Sequence, residues 1–115
     1  MFLCAGVALA QSPVQMAPAK FANRTNPFDQ SETARLAGAK LYARDCAVCH
    51  GAGGEGLGKA PPLKRPDVSQ APPGALFWVL ENGSIRNGMP SFAHLPEPQR
   101  WQIVTFLRSL NSRKE

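Results

Sequence analysis

The chain has 115 residues, a length that suits one domain. Its 13 basic and 8 acidic residues give a net charge of +5, and the basic ones (Arg35, Lys40, Arg44, Lys59, Arg86, Arg100) are spread singly instead of forming a stripe with aromatics, which argues against nucleic-acid binding. With 11 prolines and 10 glycines, few stretches are left for regular structure, and their apolar side chains must fill a small core alone or pack around something large and apolar.

Residues 1–10, MFLCAGVALA, are apolar and end in a small-x-small pattern, Ala8-Leu9-Ala10. They resemble the tail of a secretory signal peptide cut before Gln11, which places the protein in the periplasm or otherwise outside the cytoplasm. A membrane span needs about 20 apolar residues, so the mature chain is expected to have none. Cys4 follows Leu3, where a lipid-modified cysteine would want a small residue before it. Cleavage would leave Cys46 and Cys49 as the only cysteines. Residues 11–28 carry Pro, Ala, Gln and Asn without periodicity and read as a flexible tail. Residues 29–115 read as the folded domain.

A first helix is predicted from Asp29 as N-cap, with Glu32 three residues on. Leu36, Ala37, Leu41 and Tyr42 would form its apolar face, with Arg35, Lys40 and Arg44 outside. Gly38 falls inside this helix at a cost of about 1 kcal/mol relative to Ala, which suggests that another helix approaches closely there. The stretch 50–73 is rich in Gly and Pro and reads as a loop. GALFWVLENG, residues 74–83, reads as a second helix, with Leu76, Phe77, Val79 and Leu80 apolar, Trp78 partly buried and a left-handed end at Asn82-Gly83. After a second irregular stretch, residues 97–113 read as a last helix that tolerates Pro98 in its first turn. Its apolar residues are Trp101, Ile103, Val104, Phe106, Leu107 and Leu110. No run alternates as a strand would. The class is all-α, three main helices with long loops.

The chemistry is concentrated in CAVCH, residues 46–50. Three readings compete. A thioredoxin-like dithiol is expected after a strand in a βαβ setting, and no strand is evident. A structural zinc site needs four ligands, and Cys46, Cys49 and His50 supply three, with His94 the sole further candidate. C-x-x-C-H is also the signature of covalent haem attachment. The two-residue gap lets one helical turn present both sulfurs to one edge of the porphyrin, and His50 follows at once to bind the iron. Secretion favours this third reading. Met89, in NGMPSF, lies 39 residues beyond His50, far enough to pass around the ring and bind the iron from the other side. Its thioether is a soft, neutral ligand that favours reduced iron. Gly88 permits a tight backbone there and Pro90 stiffens it. His94 is the rival sixth ligand, and loop packing is the alternative role for Met89.

AGAKLYARDCAVCHGAGGEGLGKAPPL and NGMPSFAHLPEPQRWQIVTFLRSL together resemble the opening and closing segments of class I c-type cytochromes of the small bacterial monohaem group. The resemblance covers most of residues 36–110. It implies the cytochrome c fold around one haem c, bonded to Cys46 and Cys49 with His50 and Met89 as axial iron ligands. It also implies that Gly38 and Tyr42 cross Ile103 and Phe106, and that the carbonyl of Pro61 accepts a hydrogen bond from the haem histidine. Lys64, Arg65 and Trp78 become candidates for contact with the propionates. The function implied is a monomeric one-electron carrier, not an enzyme, between exported redox proteins: a dehydrogenase as donor, a terminal oxidase or another cytochrome as acceptor. Lys40, Lys59, Lys64 and Arg86 would steer acidic partners. The alternative is a haem enzyme or gas sensor with an open or labile sixth site, and a third possibility is an electron-entry subunit of a larger complex.

Overall fold

The computed structural model describes residues 12–58 and 60–111. The signal-peptide reading of residues 1–10, with Cys4, and the surface role of Lys59 lie outside these residues. Six α-helices occur in them: α1 (Ala19–Ala22), α2 (Glu32–Asp45), α3 (Ala47–His50), α4 (Pro66–Ser69), α5 (Pro73–Asn82) and α6 (Glu97–Ser109). Three of them, α2, α5 and α6, carry the fold. No strand is present among the described residues, where the only β-type pairings are the isolated bridges Leu57–Ala60 and Ser84–Met89. The fold is all-α, with long loops between the main helices, and no helix among the described residues is long and apolar enough to cross a membrane.

The start of α2 differs from the expected one. Its N-cap is Ser31, whose hydroxyl accepts from the Ala34 N–H at 3.1 Å. Asp29 is drawn away to Arg108 on α6, at 3.3 Å. Gln30, at φ 62°, then turns the chain so that Ser31 meets the helix mouth. The buried stripe of α2 also differs. It consists of Ala34, Gly38 and Tyr42, at i, i+4 and i+8, while Leu36 is 51% exposed. At Ala34 and Gly38 the face is small because α6 lies against it, and Tyr42 fills the space one turn on. A Cβ on Gly38 would stand 2.0 Å from the carbonyl oxygen of Gln102 and 3.0 Å from Cβ of Phe106. The Tyr42 and Phe106 rings meet beside it, with centroids 5.1 Å apart. Gly38 therefore rests on Gln102 and Phe106, while Ile103 is fully buried in the core.

Helix α5 buries Gly74, Ala75, Leu76, Phe77, Val79 and Leu80, nearly its whole circumference. Such a helix needs cover on several sides. One side is α6, where Trp101 stacks on Phe77 with centroids 4.0 Å apart. Another is the segment before α2. Residues 14–28, which show no periodicity in the sequence, contain a 3-10 turn (Val14–Met16) and α1, and both pack on α5. The Phe21 carbonyl lies where a Cβ of Gly74 would be, 1.8 Å from that position. The buried amide of Asn26 donates to Thr105 Oγ1 at 2.9 Å and accepts from the Phe28 N–H at 2.8 Å. Polar and backbone contacts of this kind leave no hydrophobic pattern, which is why the sequence reads the segment as a structureless tail.

Helix α5 ends at Gly83, whose φ of 71° and ψ of −172° lie outside the left-handed helical region expected there. Helix α6 begins with Pro98 in its first turn, as expected. Its core residues Ile103 and Val104 are fully buried.

Candidate functional site

Cys46 ends α2, and α3 turns at once beneath it to carry Cys49 and His50. The short helix ends because Gly51 takes φ 89°. The Tyr42 hydroxyl donates to the Gly51 carbonyl at 2.6 Å, tying the end of α3 back to the last turns of α2. Burial pushes the Tyr42 phenol up to about 12, with smaller effects from Cys46 and Glu55, so the hydroxyl stays a donor. This tie escaped the sequence reading, where Tyr42 figures only as a packing residue.

The two sulfurs differ in setting. Cys46 is buried and Cys49 exposed, and both are unpaired thiols. Burial, with the neighbouring Asp45 and Cys49, pushes the Cys46 thiol up to about 11. Cys46 thus offers a neutral sulfur packed in the core cluster, unlike the low-pKa, accessible attacking thiol of a disulfide exchanger. The pair follows a helix and not a strand, which also removes the context of a thioredoxin-like dithiol. Among the described residues no group of three or more His, Cys, Asp or Glu side chains converges as a metal-ion site, so the zinc reading lacks its ligand set.

His50 is half-buried, and its Nδ1 lies 3.0 Å from the carbonyl oxygen of Pro61. A carbonyl only accepts, so Nδ1 carries the proton and Nε2 keeps its lone pair for another partner. The loop is folded to bring this about. Gly56 N–H donates to the His50 carbonyl at 2.8 Å, and the Gly54 carbonyl accepts from Leu63 at 2.7 Å and Lys64 at 3.1 Å. These bonds double residues 51–64 back, so that Pro61 faces the ring of His50.

Met89 is half-buried against the core cluster. It pairs with Ser84 through two backbone bonds of 2.9 and 3.0 Å, which close the loop over the 3-10 turn Ile85–Asn87. Gly83 sets its depth. A Cβ there would stand 2.7 Å from the Met89 carbonyl oxygen and 2.6 Å from the Pro90 carbonyl carbon. The sequence shows Gly83 only as a helix end, because its second role depends on a chain segment six residues away.

The remaining candidates are more scattered. His94 is exposed, its ring 6.1 Å from that of Phe92. Lys64 is exposed and Trp78 half-buried. Arg65 Nε lies 2.8 Å from Asp67 Oδ1, yet this buried atom lacks hydrogen-bond geometry to it. Lys40 and Arg86 are exposed.

Residues 33–107 match the family model described as cytochrome c oxidase, cbb3-type, subunit III. No curated protein sequence matches the chain. Cytochrome cL from the marine methylotroph Methylophaga aminisulfidivorans superposes with a TM-score of 0.65 at 24% identity, covering 95% of this chain and 73% of its own. The c-type cytochrome XoxG from Methylobacterium extorquens gives 0.59 at 26% identity over 68% of this chain, which spans 50% of XoxG. Cytochrome cL from Hyphomicrobium denitrificans gives 0.54 at 21% identity, covering 89% of this chain and 68% of its own. The fold and its relatives define a c-type cytochrome, a redox electron carrier that uses haem. Within that class, the chain belongs to the cytochrome c oxidase, cbb3-type, subunit III family.

The residues present fit a haem. Two unpaired thiols flank one helical turn, and an imidazole with an uncommitted Nε2 follows. Large exposed apolar side chains occur on the same segments: Val48 at 78%, Leu57 at 51% and Ile85 at 71%. Exposed apolar side chains on the segments that carry the donor set suit a large apolar partner.

Proposed function

We propose that this chain is a class I monohaem cytochrome, a one-electron carrier with a single haem c bonded to Cys46 and Cys49 and ligated axially by His50 and Met89. The observation that carries the reading is the Cys46–His50 turn with Nδ1 of His50 held 3.0 Å from the Pro61 carbonyl. When bound, the haem supplies the Fe(III)/Fe(II) couple. Pro61 orients the imidazole and raises its basicity, as partners of metal-bound histidines do. Met89 offers a neutral sulfur from a loop closed on Ser84, and such a ligand favours the reduced state. With His50 and Met89 both holding the iron, little would rearrange on electron transfer and no position would be left on it for a substrate.

The same reading takes residues 1–10 as a signal peptide and the rest as an exported, monomeric haem domain with residues 12–28 packed on it. An exported dehydrogenase as donor and a terminal oxidase or another cytochrome as acceptor suit it. The matched family's description, which names an oxidase, supports the acceptor side. The exposed Lys40, Lys64 and Arg86 would attract acidic partner surfaces, and reduction rates that ignored ionic strength would dismiss that role.

The test is spectroscopic. Ferric protein should show the weak far-red sulfur–iron band, and reduced protein should bind carbon monoxide poorly. Met89→Ala should abolish the band, lower the potential and open the iron to carbon monoxide. A high-spin ferric spectrum in the unmodified protein would instead support a haem enzyme or gas sensor with an open sixth site.

A further inference from the structure

Arg100 is the one charged residue that is buried among the described residues, at 9% exposure. A guanidinium keeps its charge in a protein, so its burial requires acceptors. Arg100 Nε donates to the Leu95 carbonyl at 3.2 Å, and Nη1 donates to Glu81 Oε1 at 2.9 Å. The guanidinium carbon also lies 4.8 Å from the Phe77 ring centroid.

The two acceptors are distant in sequence. Glu81 stands in the last turn of α5, and Leu95 lies two residues before α6. Between them runs the loop that carries Met89, so one side chain rooted on α6 ties both ends of that loop. Two further bonds join its limbs on the same side. Ser91 Oγ donates to the Glu81 carbonyl at 2.6 Å, and the Phe92 N–H donates to the Leu80 carbonyl at 2.8 Å. Swinging Met89 outward would pull on these attachments and strip a buried cation of its acceptors.

We propose that Arg100 and Glu81 are positioning residues that clamp the Met89 loop and so set how firmly the methionine sulfur is held at the iron. The inference rests on the assignment of Met89 as sixth ligand. Neither residue is one of the proposed iron ligands. They act through the loop by raising the free energy of its opening. Arg100 is suited to this because its planar fork satisfies two acceptors at once, which a lysine cannot match.

The test uses the matured ferric holoprotein titrated with imidazole, a probe that reaches the iron only when the sulfur leaves. Its apparent affinity scales with the fraction of protein whose loop is open. Glu81→Gln and Arg100→Lys should each bind imidazole about tenfold more tightly than the unmodified protein, the effect of losing one charge-assisted bond. Both should keep the far-red band without imidazole. In a Met89→Ala background the same substitutions should change the affinity less than about twofold, since no sulfur remains to be displaced. Glu81 is partly exposed, so Glu81→Gln tests the clamp even where Arg100→Lys does not fold. A lower unfolding midpoint with unchanged imidazole affinity would overturn the proposal, because it would mark a merely structural pair. If Met89→Ala alone bound imidazole no more tightly than the unmodified protein, the ligand assignment itself would fall.

Discussion

Replacing Gly38 by Ala tests the helix crossing on which the domain is built. The new Cβ would stand 2.0 Å from the Gln102 carbonyl oxygen and 2.6 Å from its carbon, both backbone atoms of α6. Ordinary contact begins at 3.4 Å, so α2 and α6 would have to part by about 1.4 Å. No flexible side chain can give way. Overpacking costs about 1–3 kcal/mol, and a clash with helix backbone belongs near the upper end. Alanine returns about 1 kcal/mol of helix propensity. The net is a loss of about 2 kcal/mol, or roughly 10 °C in the unfolding midpoint of a domain this size. Thermal unfolding of the holoprotein, followed by far-ultraviolet circular dichroism, reads this directly. A midpoint equal to or above that of the unmodified protein would mean that propensity outweighs the clash and that α2 and α6 are not in backbone contact.

Other perturbations probe the ties around the site. Folding pushes the Tyr42 phenol from 10.0 up to about 12, so between these values the unfolded chain has lost a proton that the folded one keeps. Stability should therefore be intact below pH 10 and fall by on the order of 2 kcal/mol as the pH rises toward 12. Tyr42→Phe should remove this alkaline slope in denaturant titrations at stepped pH; a slope that persists would assign it elsewhere. The same substitution should cost about 1 kcal/mol at neutral pH through the lost bond to Gly51. Asn26→Ala strips partners from Thr105 and the Phe28 N–H and should cost about 1–3 kcal/mol, with faster amide exchange across residues 19–28. Unchanged stability and exchange would show that this segment contributes nothing to the packed domain.

What the sequence makes legible is what is local. The C-x-x-C-H turn, the three long helices and the Gly-Met-Pro setting are short-range patterns. What it hides depends on partners distant in the chain. Leu36 looks like a core residue of α2 but faces out, because the α6 backbone takes the Gly38 side of the helix, where Ala34 and Tyr42 are buried with it. Asp29 looks like a helix cap until Arg108, 79 positions away, claims its carboxylate. Arg100 looks like a solvated charge, and only the folded chain shows Leu95 and Glu81 closing on it. Residues 14–28 dock through carbonyls, one buried amide and the isolated apolar side chains Val14 and Phe28, contacts that form no periodic hydrophobic pattern.

The central assignment is a covalently held haem on Cys46 and Cys49. Intact mass of exported, matured protein in denaturing solvent tests it most directly. A mass equal to the processed polypeptide plus one haem is expected, together with the loss of that increment when both cysteines are replaced by Ala. Exported protein that is colourless, or whose mass equals that of the bare polypeptide, would contradict the assignment and the electron-carrier mechanism built on it.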